Sequence, residues 1–181
     1  MVVKKAKAYW SFIKTPDEAG KFRVTFTVDE KTYKDLMIEI ENCAEESRAE
    51  LKDLEWIGSY KKTEDGEHQF SAKANSEFTS KKGETIQFEL PVYNIKAQRL
   101  KSEEIPMIKN GAIVNLVVEP YYIEYKKKKG VMLGLRSVQL IEYEEYTGEG
   151  YNPYEDESED CPFEKESEAT HNSNENEDIF N

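Results

Sequence analysis

The chain has 181 residues, with 25 Lys and Arg against 37 Asp and Glu and a formal charge of −12. Two cysteines, Cys43 and Cys161, are too few and too far apart for a disulfide framework or a thiolate metal site. No run of about 18 apolar residues occurs, so neither a signal peptide nor a membrane span is expected. The charge is split rather than spread: Thr147 to Asn181 holds 12 acids and one base, whereas Met1 to Tyr146 carries 25 acids and 24 bases. A total of −12 is therefore no argument against a polyanionic partner, because the body is nearly neutral and the tail carries the charge.

The first candidate strand is Ala6 to Ile13, leading into the turn-forming Lys14-Thr15-Pro16-Asp17 and on to Gly20. Phe22, Val24, Phe26 and Val28 then alternate with Arg23, Thr25 and Thr27, the period of a half-buried strand that pairs back through a turn near Gly20. From Asp29 to Glu55, Tyr33, Leu36, Met37, Ile40, Cys43, Ala44, Leu51 and Leu54 recur at threes and fours. That spacing predicts one amphipathic helix over about residues 30–54, capped by Asp29. The segment holds ten acids and four bases, so a barrel of net +5 stands beside a helix of −6 and a tail of −11.

Strand signals resume after Trp56. Asp65-Gly66 marks a turn before a strand over His68 to Phe78, and Lys81-Lys82-Gly83 marks another before Ile86, Phe88 and Leu90, an alternating set running on to Ile95. Ala112 to Tyr122 is rich in Val, Ile and Leu, Lys126 to Gly130 reads as a basic loop, and Val131 to Tyr143 alternates with one slip of register that predicts a bulge. Six strand candidates and one helix predict a mainly β fold: an OB-like antiparallel barrel of five to six strands with a capping α-helix, spanning residues 1–146. From Thr147 to Asn181, Gly, Asn, Ser and acids dominate, so this segment is expected to be a disordered acidic tail.

Catalysis has little support. His68 and His171 lack partners at triad or metal spacing, and the phosphate-loop, nucleophile-elbow and dinucleotide patterns are missing, so no enzyme, catalytic residue, metal or cofactor is expected. Basic and aromatic residues interleave instead, in three clusters. Lys4, Lys5, Lys7, Tyr9, Trp10, Phe12 and Lys14 form one, Tyr93, Lys96, Arg99 and Lys101 the second, and Tyr121, Tyr122, Tyr125 with Lys126, Lys127, Lys128 and Lys129 the third. Sequence-tolerant binding of single strands needs this chemistry: bases stack on aromatic faces for about 1 to 3 kcal/mol each, while cationic groups neutralise phosphates. Each aromatic has a plain alternative as a core or barrel-end residue, and the lysines as a soluble hairpin tip. Tyr121 and Tyr122 are adjacent on a strand, so they face opposite sides and at most one is core. The end of the chain, Glu177-Asp178-Ile179-Phe180-Asn181, places an apolar anchor after acids, the pattern of a short docking motif.

Several segments carry a family resemblance: Tyr9-Trp10-Ser11-Phe12-Ile13-Lys14-Thr15-Pro16-Asp17, Glu104-Ile105-Pro106-Met107-Ile108 with Asn110-Gly111, Val118-Glu119-Pro120-Tyr121-Tyr122, and Leu135-Arg136-Ser137-Val138-Gln139-Leu140. With the tail end Asp178-Ile179-Phe180, their order resembles the replicative single-stranded DNA-binding proteins of short-tailed bacteriophages. The resemblance implies an OB barrel with a capping helix, a DNA-stacking role for Tyr121, and groove-lining roles for Lys14, Lys73 and Lys109. It also implies an acidic tail that occupies the DNA groove when DNA is absent and recruits the phage polymerase and helicase-primase, a homodimer, and a place in replication, recombination or repair in the cytoplasm of an infected bacterium. Two departures stand out: Asn181 follows the terminal aromatic, and the helix falls between the second and third strands. Combined with the residue reading, this predicts stacking by Tyr121 with Trp10 or Tyr93, and a backbone path over Lys14, Arg23, Lys73, Lys109 and the lysines of 126–129. The rival reading is an acidic interaction adaptor or nucleic-acid mimic built on an OB fold.

Overall fold

A computed structural model describes residues 1–146; the tail and its docking residues Glu177, Asp178, Ile179 and Phe180 lie outside the described residues. In chain order the elements are β1 (Val2–Phe12), β2 (Lys21–Val28), α1 (Glu30–Glu46), β3 (Leu54–Ile57), β4 (Lys61–Lys62), β5 (His68–Asn75), β6 (Glu77–Thr79), β7 (Thr85–Gln87), β8 (Val92–Tyr93), β9 (Ala112–Tyr125) and β10 (Lys128–Glu142). Five of them close a barrel in the order β1-β2-β5-β10-β9, with β9 returning to β1. Every barrel pairing is antiparallel except the closing one, where β5 and β10 run parallel with Leu133 opposite Ala72 and Gly134 opposite Lys73. The expected OB-like, mainly β architecture with one helix is thus present, at five barrel strands.

Period-2 patterning makes the barrel. On β2, Phe22, Val24 and Phe26 point inward and Arg23 and Thr25 outward; on β9, Val114, Leu116 and Val118 fill the interior. β1 must curve to serve two neighbours, and it does so through bulges at Lys5 (φ 53°) and Trp10 (φ 43°). Both sit in the left-handed region that L-residues enter at a cost, and each is compensated by an asparagine: the Lys5 N–H donates to Asn115 Oδ1 at 2.9 Å and the Trp10 N–H to Asn110 Oδ1 at 2.7 Å.

The helix is shorter than its periodicity predicts. Asp29 caps it by accepting from the Thr32 N–H at 2.7 Å, and Leu36, Ile40 and Ala44 bury its inner face, but it stops at Glu46 rather than near residue 54. Arg48 takes φ 59°, the Ala49 N–H bonds back to the Ala44 carbonyl, and Ala49 is buried, the Schellman ending with arginine where glycine usually stands. Leu51 and Leu54, counted as helical, belong to a 3₁₀ turn and to β3.

Three further boundaries differ from expectation. The strand predicted over His68 to Phe78 ends at Asn75, because Ser76 turns to bond the Gly20 carbonyl through both its N–H and its hydroxyl. The set predicted over Ile86 to Ile95 is not a barrel strand: Thr85–Gln87 pairs with Glu77–Thr79 in a separate hairpin, and Val92–Tyr93 runs beside β10. The basic loop shrinks to the two-residue turn Lys126-Lys127, both at positive φ, while Lys128 and Lys129 belong to β10. Gly130 marks a close approach rather than a loop end, since a Cβ there would stand 2.9 Å from the Trp56 side chain. The predicted bulge in β10 is present, with register shifts at Leu135/Ser137 and Leu140/Glu142.

The helix is tied to the barrel by His68, which is buried. Its ring stacks on Tyr33 at 3.8 Å, its Nε2 lies 2.8 Å from Glu30 Oε2, and its Nδ1 lies 3.0 Å from the Tyr60 hydroxyl. The bond from His68, and then that from Lys34, hold the Glu30 carboxyl below its ordinary value. A lowered folded-state pKa gives stability that is present above the ordinary carboxylate range and lost as pH falls through the folded value. Glu30→Gln is therefore expected to lower the urea midpoint at neutral pH, with the gap to the parent protein shrinking as pH falls through and below the ordinary carboxylate range, as measured by urea unfolding across pH. A gap of constant size at all pH values would contradict it.

Candidate nucleic-acid interface

The outward residues of neighbouring strands fall into one line. Phe12 on β1 is opposite Arg23 on β2, Arg23 is opposite Lys73 on β5, Lys73 is opposite Gly134 on β10, and Gly134 is opposite Glu119 on β9. The Tyr121 ring reaches over Gly134, where a Cβ would stand 3.6 and 3.7 Å from its Cδ1 and Cε1. Four strand spacings make the line roughly 19 Å long. Barrel strands are tilted to the axis, so a line drawn across them winds obliquely around the barrel. An aromatic residue thus stands at each end, with two cations between them.

Local chemistry fixes these side chains. The Arg23 guanidinium lies over the Phe12 ring at 5.0 Å, and its Nη1 is 3.7 Å from Asp17. Asp17 in turn organises the β1–β2 loop by accepting from the N–H groups of Ala19 and Lys21, both at 3.0 Å. Lys73 makes no ion pair among the described residues. Two buried side-chain polar atoms lack a hydrogen-bond partner among the described residues, Arg23 Nε and Ser71 Oγ, and both belong to outward positions of β2 and β5. Tyr121 is 44% exposed, and Tyr125 lies four residues along the same face, with the Lys126 ammonium 5.2 Å from its ring. The two cations of the line, Arg23 and Lys73, lie on the second and third barrel strands, the face that OB folds use, with the β1–β2 and β9–β10 loops, to bind oligonucleotides.

The remaining candidates are dispersed. Lys14 is exposed on the β1–β2 loop and, with Phe12, Pro16, Pro106 and Met107, lines a groove of about 240 Å³. Trp10 is 56% exposed at its bulge, beside Tyr9 at 6.0 Å. Lys109 pairs with Glu144 at 3.2 Å, and Lys128 with Glu55 at 2.6 Å; Lys127 is exposed in the hairpin turn. Tyr122 faces the other way and packs against the core. Tyr93 and Arg99 bridge to each other, and Tyr93 sits opposite Gln139, seven residues along β10 from the position facing Tyr121, roughly 23 Å away at the strand rise. They belong to another part of the surface.

Sequence reasoning assigned no role to Gly134 or Arg136. Arg136 stood in a quoted segment, but nothing in its spacing showed that it is the bulged residue of β10 and pairs with Glu119.

No protein-family model matches the sequence, and no curated protein matches it. Solved structures do. The single-stranded DNA-binding protein gp2.5 of bacteriophage T7 superposes with a TM-score of 0.67 at 22% identity, covering 89% of this chain and 94% of that one. The single-stranded DNA-binding protein of bacteriophage Enc34 gives 0.60 at 20% identity, covering 88% of each chain. Its complex with single-stranded DNA gives 0.59 at 21%, covering 81% of this chain and 88% of that one. The chain therefore shares its fold with single-stranded DNA-binding proteins of two bacteriophages.

Proposed function

We propose that this chain is a sequence-tolerant single-stranded DNA-binding protein without enzymatic activity. The observation that carries the reading is the line Phe12–Arg23–Lys73–Gly134–Tyr121, which joins stacking surfaces to phosphate-neutralising groups on the face an OB barrel uses for oligonucleotides. The likeness to a phage protein solved with single-stranded DNA supports it. Binding only the unpaired form protects single strands and removes hairpins, the work required in phage replication or recombination, and also in repair, in the host cytoplasm. In this reading residues 1–146 are the DNA-binding domain and 147–181 the regulatory tail, which also recruits the phage polymerase and helicase-primase; the protein acts as a homodimer.

The tail of net −11 is a tethered polyanion, and a contour of about 120 Å lets it reach any face of a small barrel. It competes with DNA for the cationic line. Deleting Thr147 to Asn181 is expected to tighten binding of labelled oligo-dT at low salt, with the gain shrinking as salt screens the tail. Unchanged or weaker affinity would remove the competitor role. Failure of both proteins to bind at low salt would remove the DNA reading and leave the adaptor or nucleic-acid mimic.

A further inference from the structure

Glu119 is out of place on a face that binds phosphates. It stands opposite Gly134, two residues from Tyr121 on the same face of β9, and its carboxylate is held by the Arg136 guanidinium. Both side chains are more than half exposed, and exposed ion pairs add little to stability, so the pair is poorly explained as a fold-holding device. Its geometry is nevertheless specific. Leu135 faces Val118 and Ser137 faces Val117, which leaves Arg136 as the extra residue of a β-bulge, and bulges re-aim side chains. The Tyr121 ring leans over Gly134, toward the same strand pair. Arg136 Nε and Nη2 are both engaged on Glu119 Oε2, which leaves Glu119 Oε1 as an acceptor and the outer guanidinium N–H groups as donors for the edge of a base stacked on Tyr121.

Resting on the single-strand reading above, we infer that Glu119 and Arg136 read the edge of the base stacked on Tyr121, favouring cytosine over thymine. Cytosine offers an exocyclic amino donor beside ring-nitrogen and carbonyl acceptors: Glu119 accepts from the amino group and Arg136 donates to the acceptors. Thymine places a carbonyl oxygen where the amino group would be, against the carboxylate. The two pyrimidines have similar stacking area, so the difference isolates the polar pair.

The test is competition between labelled oligo-dC and oligo-dT of equal length for the full chain at pH 8 and fixed salt. The parent protein is expected to prefer oligo-dC by about three- to tenfold. Glu119→Gln, whose amide both donates and accepts, is expected to bring the ratio close to one, and Arg136→Lys, which keeps the charge but loses the fork, to reduce it. Equal binding of the two oligonucleotides by the parent protein overturns the inference and leaves the single-strand reading standing. So does a preference that survives Glu119→Gln, or a variant that merely gains affinity for both oligonucleotides with their ratio unchanged. Binding of neither oligonucleotide overturns the underlying reading as well.

Discussion

Tyr121→Ala is expected to cost about 1 to 3 kcal/mol of oligo-dT affinity while leaving the slope of log affinity against log salt unchanged. The ring is exposed, is held over Gly134 rather than in the core, and carries no charge, so its removal takes away a stacking platform and nothing else. Lys73→Ala has the opposite signature: a slope reduced by about 1, with a uniform loss across sequences. Fluorescence anisotropy titrations at several salt concentrations separate the two. A Tyr121→Ala variant with full affinity would show that bases do not stack at this end of the line.

Phe70→Ala is expected to destabilise the fold by about 3 to 5 kcal/mol, read by urea unfolding. Phe70 is fully buried and connects three parts of the molecule: it stacks on Phe26 of β2 at 6.1 Å, meets Tyr60 at 5.1 Å and Tyr33 of α1 at 6.2 Å. It also lies two residues from Ala72, where β5 closes the barrel against β10. The cavity would therefore open between sheet and helix at the closure seam, where backbone pairing on both sides limits collapse. A loss below about 1 kcal/mol would mean that the helix settles into the gap.

Where local chemistry decides structure, the sequence was legible. The alternation on β2, the Asp29 cap and the bulge in β10 each rest on residues within a few positions of one another. Two of the misses share a physical cause: non-glycine residues in left-handed conformations. Arg48 ends the helix where a glycine would have announced the stop, and Lys126-Lys127 make a hairpin turn that Asn-Gly would have signalled. Gly130, read as part of that loop, is required instead by Trp56, a long-range neighbour that spacing does not show. At the candidate site, Phe12, Arg23, Lys73 and Tyr121 were recognisable as residue types, but their alignment is a property of register across five strands, and one of those pairings is the parallel closure of β5 on β10. The same limit hid the Glu119–Arg136 pair, since a bulge that aims a side chain is visible only against its partner strand.

The most direct measurement is an amide chemical-shift map of the full-length protein titrated with oligo-dT at low salt. The account predicts shifts concentrated on outward positions of β2, β5, β9 and β10 around Arg23, Lys73, Gly134 and Tyr121, together with Phe12 and the β1–β2 loop. Shifts centred instead on Tyr93 and Arg99, or no shifts at all, would contradict it.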